Sequence, residues 1–148
     1  MSSKFREFLE EQFKERYKHL IIYSFPMTGK TTFGKKVSEE LDGYYLDVLS
    51  ELKDNTAVSK EIDTFYPTDF FKWIAKYCNG KKFIVVDNVD FLINTWREEQ
   101  EEIFLNLIEK DQSNTVYLFL IQERKFLCKR SITNILGNNR IINLFDII

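Results

Sequence analysis

Hydrophobic positions along this chain follow two alternating spacings. Five short stretches are almost wholly apolar, which is typical of β-strands that are buried on both faces. Most of the gaps between them carry apolar residues every three or four positions with charges in between, which is typical of amphipathic helices. The predicted strands are Leu20–Phe25, Tyr44–Leu49, Phe83–Val86, Val116–Ile121 and Arg140–Phe145.

The same pattern places helices before and between these strands. Apolar residues at helical spacing predict an N-terminal helix that lies within residues 1–19 and is capped by Ser2 or Ser3. Residues 51–66 are polar without a clean period, and we expect a loop there. The other predicted helices are Lys30–Leu41, a helix that starts at Pro67, Trp96–Lys110 and Lys125–Leu136.

Strands that alternate with helices, each strand apolar throughout, predict a three-layer α/β fold. We expect a five-stranded parallel sheet with helices on both of its faces. No repeat, linker or shift in composition divides the 148 residues, which predicts one domain over 1–148 with its core in 20–148. Parallel sheets of this kind present their ligand sites at the carboxyl ends of the strands, so candidate functional residues are expected there.

Composition and charge exclude several classes of protein. Lysine and arginine number 21 against 23 aspartate and glutamate, which removes the bulk electrostatic argument for binding nucleic acid or an anionic membrane. Two cysteines are too few and too far apart for a disulfide framework or a zinc site, and the single His19 excludes a His-based metal centre. Apolar runs are too short to cross a membrane and no signal peptide opens the chain. We expect a soluble, cytoplasmic protein in which His19 is structural.

The segment between the first predicted strand and the next helix carries the candidate chemistry. Residues 24–31 follow the phosphate-binding pattern G-x-x-x-x-G-K-[ST], with Ser24 in place of the first glycine. Backbone N–H groups of such a loop surround phosphate oxygens, and the positive end of the helix adds to the attraction. Gly29 admits the required backbone conformation, Lys30 brings an ammonium to the phosphates, and Thr31 offers a hydroxyl to Mg²⁺. The predicted nucleotide-binding residues are Ser24, Phe25, Pro26, Met27, Thr28, Gly29, Lys30, Thr31 and Thr32.

A carboxylate at the end of another strand completes this type of site. The apolar run Phe83–Val86 leads directly into Asp87, which we expect to hold Mg²⁺ through water, together with Thr31. In ATPases that activate water with a carboxylate, a glutamate commonly follows this aspartate. Here the residue is Asn88, whose amide can orient a water molecule but cannot take its proton, so we expect slow hydrolysis. Asp90 is an alternative base, although capping the next turn is its simpler role.

Polar residues also end the fourth predicted strand. Gln122 is a candidate contact to the γ-phosphate or to the attacking water, and Glu123 is an alternative base. A basic cluster follows, which either forms a solvated helix start or contacts phosphate, a partner or DNA. Its members are Arg124, Lys125, Lys129 and Arg130.

Together these motifs resemble the P-loop NTPases that insert a strand between the P-loop strand and the acidic strand, a group that includes the AAA+ proteins. Ser24–Thr31, Phe83–Asn88 and Gln122 carry the resemblance in the expected order, and Val86–Leu92 is similar to the acidic-strand segment of AAA+ initiator-type ATPases apart from Asn88. The resemblance implies the sheet order 5-1-4-3-2, with ATP and Mg²⁺ as ligands. AAA+ modules continue into a helical lid, and none is expected after a fifth strand that lies so close to Ile148. Another subunit, or a second copy of this chain, would then complete the site.

A narrower resemblance is to the BrxF family of small P-loop proteins from BREX-type phage-defence islands. It rests on the size of the chain, the strand within Tyr44–Ser50, the Asp87-Asn88 pair followed by Phe91 and Leu92, and the short C-terminal end. This resemblance implies an accessory ATP-binding subunit beside larger proteins that handle DNA, so that any contact with DNA is indirect.

Two other functions stay open at this point. One is a small-molecule kinase, because such enzymes close an arginine-rich lid over the transferred phosphoryl group and Arg130 and Arg140 lie in a suitable segment. The other is a non-hydrolysing scaffold, in which a bound nucleotide only supports an interface with a partner.

Overall fold

Five parallel strands form one sheet in this computed structural model, which describes residues 3–54 and 62–148. The strands are β1 (Leu20–Ser24), β2 (Tyr44–Asp47), β3 (Phe83–Asp87), β4 (Val116–Gln122) and β5 (Ile141–Asn143). Their order across the sheet is β2-β3-β4-β1-β5, and every pairing is parallel. Read from the β5 edge, the order is β5-β1-β4-β3-β2.

Helices cover both faces of this sheet, which confirms the predicted α/β fold. The helices are α1 (Ser3–Gln12), α2 (Lys30–Glu40), α3 (Val48–Asp54), α4 (Pro67–Ala75), α5 (Asp90–Ile93) and α6 (Glu98–Lys110). Leu20 and Ile22 of β1 pack in one core with residues of α1 and α2, whereas Ile21 packs on the opposite face with residues of α3, α4 and α6. Alternate residues of an apolar strand thus serve two cores, as expected for a strand buried on both faces.

The N-terminal helix is shorter than predicted. It ends at Gln12 rather than continuing to residue 19. The fully buried Gln12 side chain donates a hydrogen bond to the Lys18 carbonyl oxygen at 2.9 Å, which holds residues 13–18 in a non-helical turn. Leu20, whose spacing continued the helical pattern, belongs to β1. The proposed Ser2 cap lies outside the described residues.

The segment after β2 is a helix, although the sequence predicted the end of a strand and the start of a loop there. β2 ends at Asp47, and α3 occupies Val48–Asp54. The Asp47 carboxylate accepts the Ser50 N–H at 3.1 Å, which is the side-chain capping that starts a helix. Within the predicted loop, residues 55–61 lie outside the described part of the chain, and a short 3₁₀ turn follows at Ile62–Thr64.

The predicted helix Lys125–Leu136 is wrong. Only a 3₁₀ turn at Lys125–Cys128 forms, and Thr133 pairs with Asn139 in an antiparallel bridge. The Asn134 side chain accepts the N–H groups of Leu136 and Asn138 at 3.1 and 3.0 Å, so side-chain capping replaces helical bonds there.

Two further element boundaries differ from the prediction. The last strand covers Ile141–Asn143 rather than Arg140–Phe145, because the Asn143 side chain accepts the Phe145 N–H and starts a 3₁₀ turn. The long helix before β4 starts at Glu98 rather than at Trp96.

Two buried polar side chains organise the amino ends of the strands. His19 Nε2 donates to Asp111 Oδ2 at 2.7 Å, and its Nδ1 accepts the Tyr117 N–H at 3.0 Å. Arg140 is only 2% exposed and donates to backbone carbonyl oxygens near β1 and at the end of α6. His19 and Arg140 therefore lie at the edge of the sheet opposite the carboxyl ends of the strands.

This arrangement of His19 predicts that the protein loses stability in mild acid. Burial lowers the pKa of His19 below its ordinary 6.5, and the hydrogen bond to Asp111 offsets only part of this effect. A proton on Nδ1 would also face the Tyr117 N–H, which is a second donor. The unfolded chain therefore binds the proton more readily, so stability is full above about pH 6.5 and falls as the pH drops below it.

Urea unfolding at about pH 7.5 and about pH 5.5 measures this loss. The matched variant is His19→Asn, whose Oδ1 can accept the Tyr117 N–H without titrating. We expect the variant to be less stable at neutral pH but to lose less on acidification. An equal loss in both proteins would contradict the assignment to His19.

No helix of the described residues is long and apolar enough to cross a membrane.

Candidate functional site

Residues 24–31, here called the 24–31 loop, connect the carboxyl end of β1 to the start of α2. Two of its residues have left-handed backbone conformations, Met27 with φ 61° and Gly29 with φ 93°. Gly29 occupies the cap position of α2 and brings no side-chain hydrogen bond to the N–H groups of the first turn. A β-carbon on Gly29 would meet no atom within 4 Å, so this side of the loop faces open space. The loop thus presents the positive end of a helix to whatever binds there.

Ser24, which replaces the first glycine of the motif, is joined to the middle of the loop by a side-chain hydrogen bond. Its side chain is buried, and the Thr28 hydroxyl lies 2.6 Å from both Ser24 Oγ and the Phe25 carbonyl oxygen. The Ser24 carbonyl oxygen accepts the Glu123 N–H at 3.0 Å, which anchors the loop to the end of β4. A serine at this position therefore contributes a contact that closes the turn.

Asp87 lies at the centre of the candidate site. It is 2% exposed at the end of β3, and its Oδ2 accepts a hydrogen bond from the Thr31 hydroxyl at 2.7 Å. The same oxygen accepts the Tyr45 hydroxyl at 2.5 Å, and Oδ1 accepts the Asn88 N–H at 2.8 Å. The structure thus brings together Thr31 and Asp87, the two residues that the sequence assigned to a metal.

Tyr45 is a member of this cluster that sequence reasoning missed. Burial raises the pKa of its phenol, and the hydrogen bond to Asp87 raises the pKa further, so the phenol keeps the proton that it donates. Strand alternation could have assigned Tyr45 to one face of the sheet. Its contact with Asp87 requires in addition that β2 lie beside β3, with Tyr45 opposite Val85.

Lys30 begins α2 and is half-buried. In the described part of the chain its ammonium forms no ion pair or hydrogen bond with another residue. A half-buried ammonium without a protein carboxylate is suited to pairing with an anion from solution.

Asn88 follows Asp87 in a left-handed backbone conformation, with φ 57°. Asparagine tolerates this conformation better than most residues, because its short polar side chain can bond locally. Position 88, where ATPases that activate water with a carboxylate commonly carry a glutamate, thus has a backbone conformation that favours asparagine.

Gln122 ends β4 directly beside Ser24 of β1. Its N–H donates to Asp90 Oδ1 at 3.0 Å, and Arg124 Nη2 donates to the same oxygen at 3.1 Å. Asp90 therefore links the residues after β3 to the end of β4; it neither caps the next turn through its side chain nor contacts Asn88 in the described residues. The side chains of Gln122 and Asn88 are not hydrogen-bonded to each other in that same part of the chain.

The basic cluster of the sequence is largely neutralised by carboxylates. Arg124 pairs with Asp90, and Lys129 pairs with Glu98 at 3.0 Å. Arg130 contacts two further carboxylates of α6, at 3.2 and 3.3 Å. These pairings favour attachment of the segment to α6 over a contact with phosphate or DNA.

The remaining residues of the 24–31 loop are open to solvent. Phe25 is 60% exposed and Met27 is fully exposed, while Pro26 and Thr32 are exposed beside them. Phe25 and Met27 thus present two apolar side chains to solvent beside the polar cluster of Thr31 and Asp87.

A surface cavity of about 600 Å³ lies elsewhere and contains none of these residues. It is lined by Tyr66, Thr95, Arg97, Glu99 and Gln100. At the candidate site itself, Gly29 faces open space and Phe25 and Met27 are exposed to solvent.

The donor set of the site fits a magnesium ion that is bound together with phosphate. Among the described residues, no group of three or more His, Cys, Asp and Glu side chains could hold a metal ion by itself. One hydroxyl and one carboxylate are hard oxygen donors, and Mg²⁺ commonly binds proteins through one or two such groups while phosphates and waters supply the rest.

No protein-family model, curated protein or solved structure matches this chain.

Proposed function

We propose that this chain is a P-loop nucleotide-binding protein that binds ATP with Mg²⁺, hydrolyses it slowly, and works as an accessory subunit of a larger assembly. The observation that carries the proposal is the 2.7 Å hydrogen bond from the Thr31 hydroxyl to Asp87. Lys30, whose ammonium has no partner among the described residues, precedes Thr31 in the same loop. Two residues 56 positions apart in sequence meet where the motif requires a magnesium ion.

The 24–31 loop would hold the phosphates. Its backbone N–H groups and the start of α2 would surround the anionic oxygens, and the open space at Gly29 supports their close approach. Lys30 supplies the positive charge that a triphosphate needs. Thr31 and Asp87 would hold the ion, which neutralises charge between the phosphates when bound.

Slow hydrolysis is supported by the absence of a free base at the expected position. Asn88 cannot accept a proton, and the Asp90 carboxylate already binds Arg124 and the Gln122 N–H. Glu123 is exposed at the end of β4, where its backbone N–H donates to the Ser24 carbonyl oxygen, and its carboxylate remains the alternative base. Asn88 and Gln122 remain the residues that would orient a water molecule.

Membership of a larger assembly is supported by the exposed apolar side chains of the 24–31 loop. Phe25 and Met27 lie beside the proposed nucleotide, where a partner subunit would cover them. The resemblance to the BrxF family suggests that the assembly acts in BREX-type defence against phages. A kinase is less well supported, because Arg140 is buried at the opposite edge of the sheet and cannot close over a phosphoryl group.

Calorimetric titration with ATP and MgCl₂ tests the proposal. Removing the Lys30 ammonium in Lys30→Ala should weaken binding by roughly tenfold to a hundredfold, because a hydrogen bond to a charged group contributes about 1.5–3 kcal/mol. The matched control is Lys36→Ala, an exposed lysine on the same helix, which should bind as the wild type does.

Two outcomes of this titration would argue against the proposal. Absence of ATP binding to the wild type would contradict it outright, and equal affinities of the wild type and Lys30→Ala would contradict the role of the loop. Phosphate release measured on the same proteins separates a slow ATPase from a scaffold, because a scaffold would turn over no faster than Lys30→Ala.

A further inference from the structure

We infer that Tyr45 is a positioning residue for the magnesium site, because its hydroxyl fixes the orientation of the Asp87 carboxylate. This inference rests on the proposed function and adds to it a residue that no part of the phosphate-binding motif contains.

Tyr45 fills one of the few acceptor positions of Asp87. An ionised carboxylate offers about four lone-pair positions on its two oxygens. Tyr45 and Thr31 occupy those of Oδ2 at 2.5 and 2.7 Å, and the Asn88 N–H occupies one of Oδ1 at 2.8 Å. One position on Oδ1 is left for a water molecule bound to the metal. The three fixed donors thus determine where that free position points.

The ring of Tyr45 is itself held in place between the sheet and α2. In the β2–β3 pairing Tyr45 lies opposite Val85, so both face α2 as Asp87 does. A β-carbon on Gly34 would lie only 3.5 Å from the Tyr45 ring, which shows how closely α2 approaches it. Lys35 Nζ lies 5.6 Å from the ring centroid, within the range of a cation–π contact. The hydroxyl therefore reaches Asp87 from a rigid position.

Loss of the Tyr45 hydroxyl should weaken the binding of Mg²⁺ rather than the binding of the nucleotide. Residues that hydrogen-bond to a metal-binding group typically change metal affinity by about tenfold to a hundredfold when they are removed. In Tyr45→Phe, Asp87 keeps Thr31 and the Asn88 N–H but loses one of the two donors on Oδ2. Within the 24–31 loop the Tyr45 hydroxyl interacts with Thr31 alone among the described contacts, so Lys30 and the rest of the loop, which would bind the phosphates, keep their surroundings.

The experiment compares ATP affinity with EDTA and across a MgCl₂ titration in the wild type, Tyr45→Phe and Tyr44→Phe. Tyr44 carries the same group on the same strand but faces the other core, where its ring stacks on Tyr77 with centroids 6.0 Å apart. We expect Tyr45→Phe to need about tenfold more Mg²⁺ for half of the effect, with unchanged affinity in EDTA. Tyr44→Phe should match the wild type in both conditions.

The outcomes separate this inference from the proposed function. If the wild type binds Mg²⁺-ATP and Tyr45→Phe has the same magnesium requirement, the inference is overturned while the proposed function stands. If Tyr45→Phe weakens binding equally with and without Mg²⁺, Tyr45 is a structural residue of the loop and the inference is again overturned. A wild type that does not bind ATP would overturn the proposed function itself. Thermal unfolding of the three proteins shows whether each variant is folded.

Discussion

Replacing Arg140 with Met should lower the free energy of unfolding by about 2–6 kcal/mol, because each buried carbonyl left without a donor costs about 1–3 kcal/mol. Arg140 Nη1 donates to the carbonyl oxygens of His19 and Ile108 at 3.0 Å, and both bonds are buried. Nη1 also donates to the carbonyl oxygen of Tyr17 at 3.2 Å, and Nη2 donates to the carbonyl oxygen of Glu109 at 3.0 Å. Methionine fills a similar volume but offers no donor to any of these four oxygens.

Through these acceptors Arg140 connects the end of α6 to the residues before β1. Two of them, Ile108 and Glu109, lie in the last turn of α6, where a positive charge is also favoured by the helix dipole. The others belong to the residues that lead into β1. Loss of Arg140 should therefore loosen the approach to β1 as well as the end of α6.

Urea unfolding of the wild type, Arg140→Met and Arg97→Met measures the effect. Arg97 is exposed, so its substitution should change stability by no more than about 0.5 kcal/mol. A comparable small change in Arg140→Met would show that water satisfies the four carbonyls and that Arg140 is dispensable.

Replacing Asp87 with Asn should abolish the tightening of ATP binding by Mg²⁺. We expect a loss of up to about a hundredfold, the upper end of the range for residues that act on a metal through its bound ligands. The amide lacks the negative charge that attracts the ion. The amide also puts an NH₂ group in place of one carboxylate oxygen. The two oxygens of Asp87 accept hydrogen bonds from Thr31, Tyr45 and the Asn88 backbone. At the Oδ1 position the NH₂ group would face the Asn88 N–H, which is also a donor. At the Oδ2 position the Thr31 and Tyr45 hydroxyls would have to turn from donors into acceptors.

The matched control for this variant is Asp47→Asn, because Asp47 pairs with Asp87 in the β2–β3 register. Asparagine can cap α3 as Asp47 does, by accepting the Ser50 N–H. We expect Asp47→Asn to keep the full magnesium effect, and Asp87→Asn to bind ATP with the affinity that the wild type has in EDTA. Persistence of the magnesium effect in Asp87→Asn would place the ion elsewhere.

The sheet could be predicted from the sequence because its strands are buried on both faces. A run such as Phe83–Val86 has no polar alternation and needs no knowledge of its neighbours to be recognised. The meeting of Thr31 and Asp87 followed from the same rule, since the carboxyl ends of parallel strands share one edge.

The elements that the sequence mispredicted depend on side chains that bond to the backbone. Asn134 binds two N–H groups and converts a helical pattern into a turn, and Asp47 starts a helix inside an apolar run. Gln12 ends α1 through a contact with Lys18. The spacing of hydrophobic residues carries no information about these bonds. A polar residue occupies a polar position of the pattern whether its side chain faces water or caps a turn.

Tyr45 and Asp90 show the same limit within the candidate site. Each acts through a partner on another element, Asp87 for Tyr45 and Arg124 for Asp90. A motif names residues that are close in sequence or that end strands. Contacts between strands need the register, which becomes known only with the sheet.

The left-handed backbone of Asn88 limits how this chain could gain faster turnover. A glutamate placed there would have to adopt φ near 57°, a conformation that costs most side chains about 1–2 kcal/mol. A single Asn88→Glu exchange would therefore introduce a carboxylate on a strained backbone. Under the proposed function, faster hydrolysis would need a differently shaped connection between β3 and α5, so the course of the main chain as well as the side chain at position 88 would keep it slow.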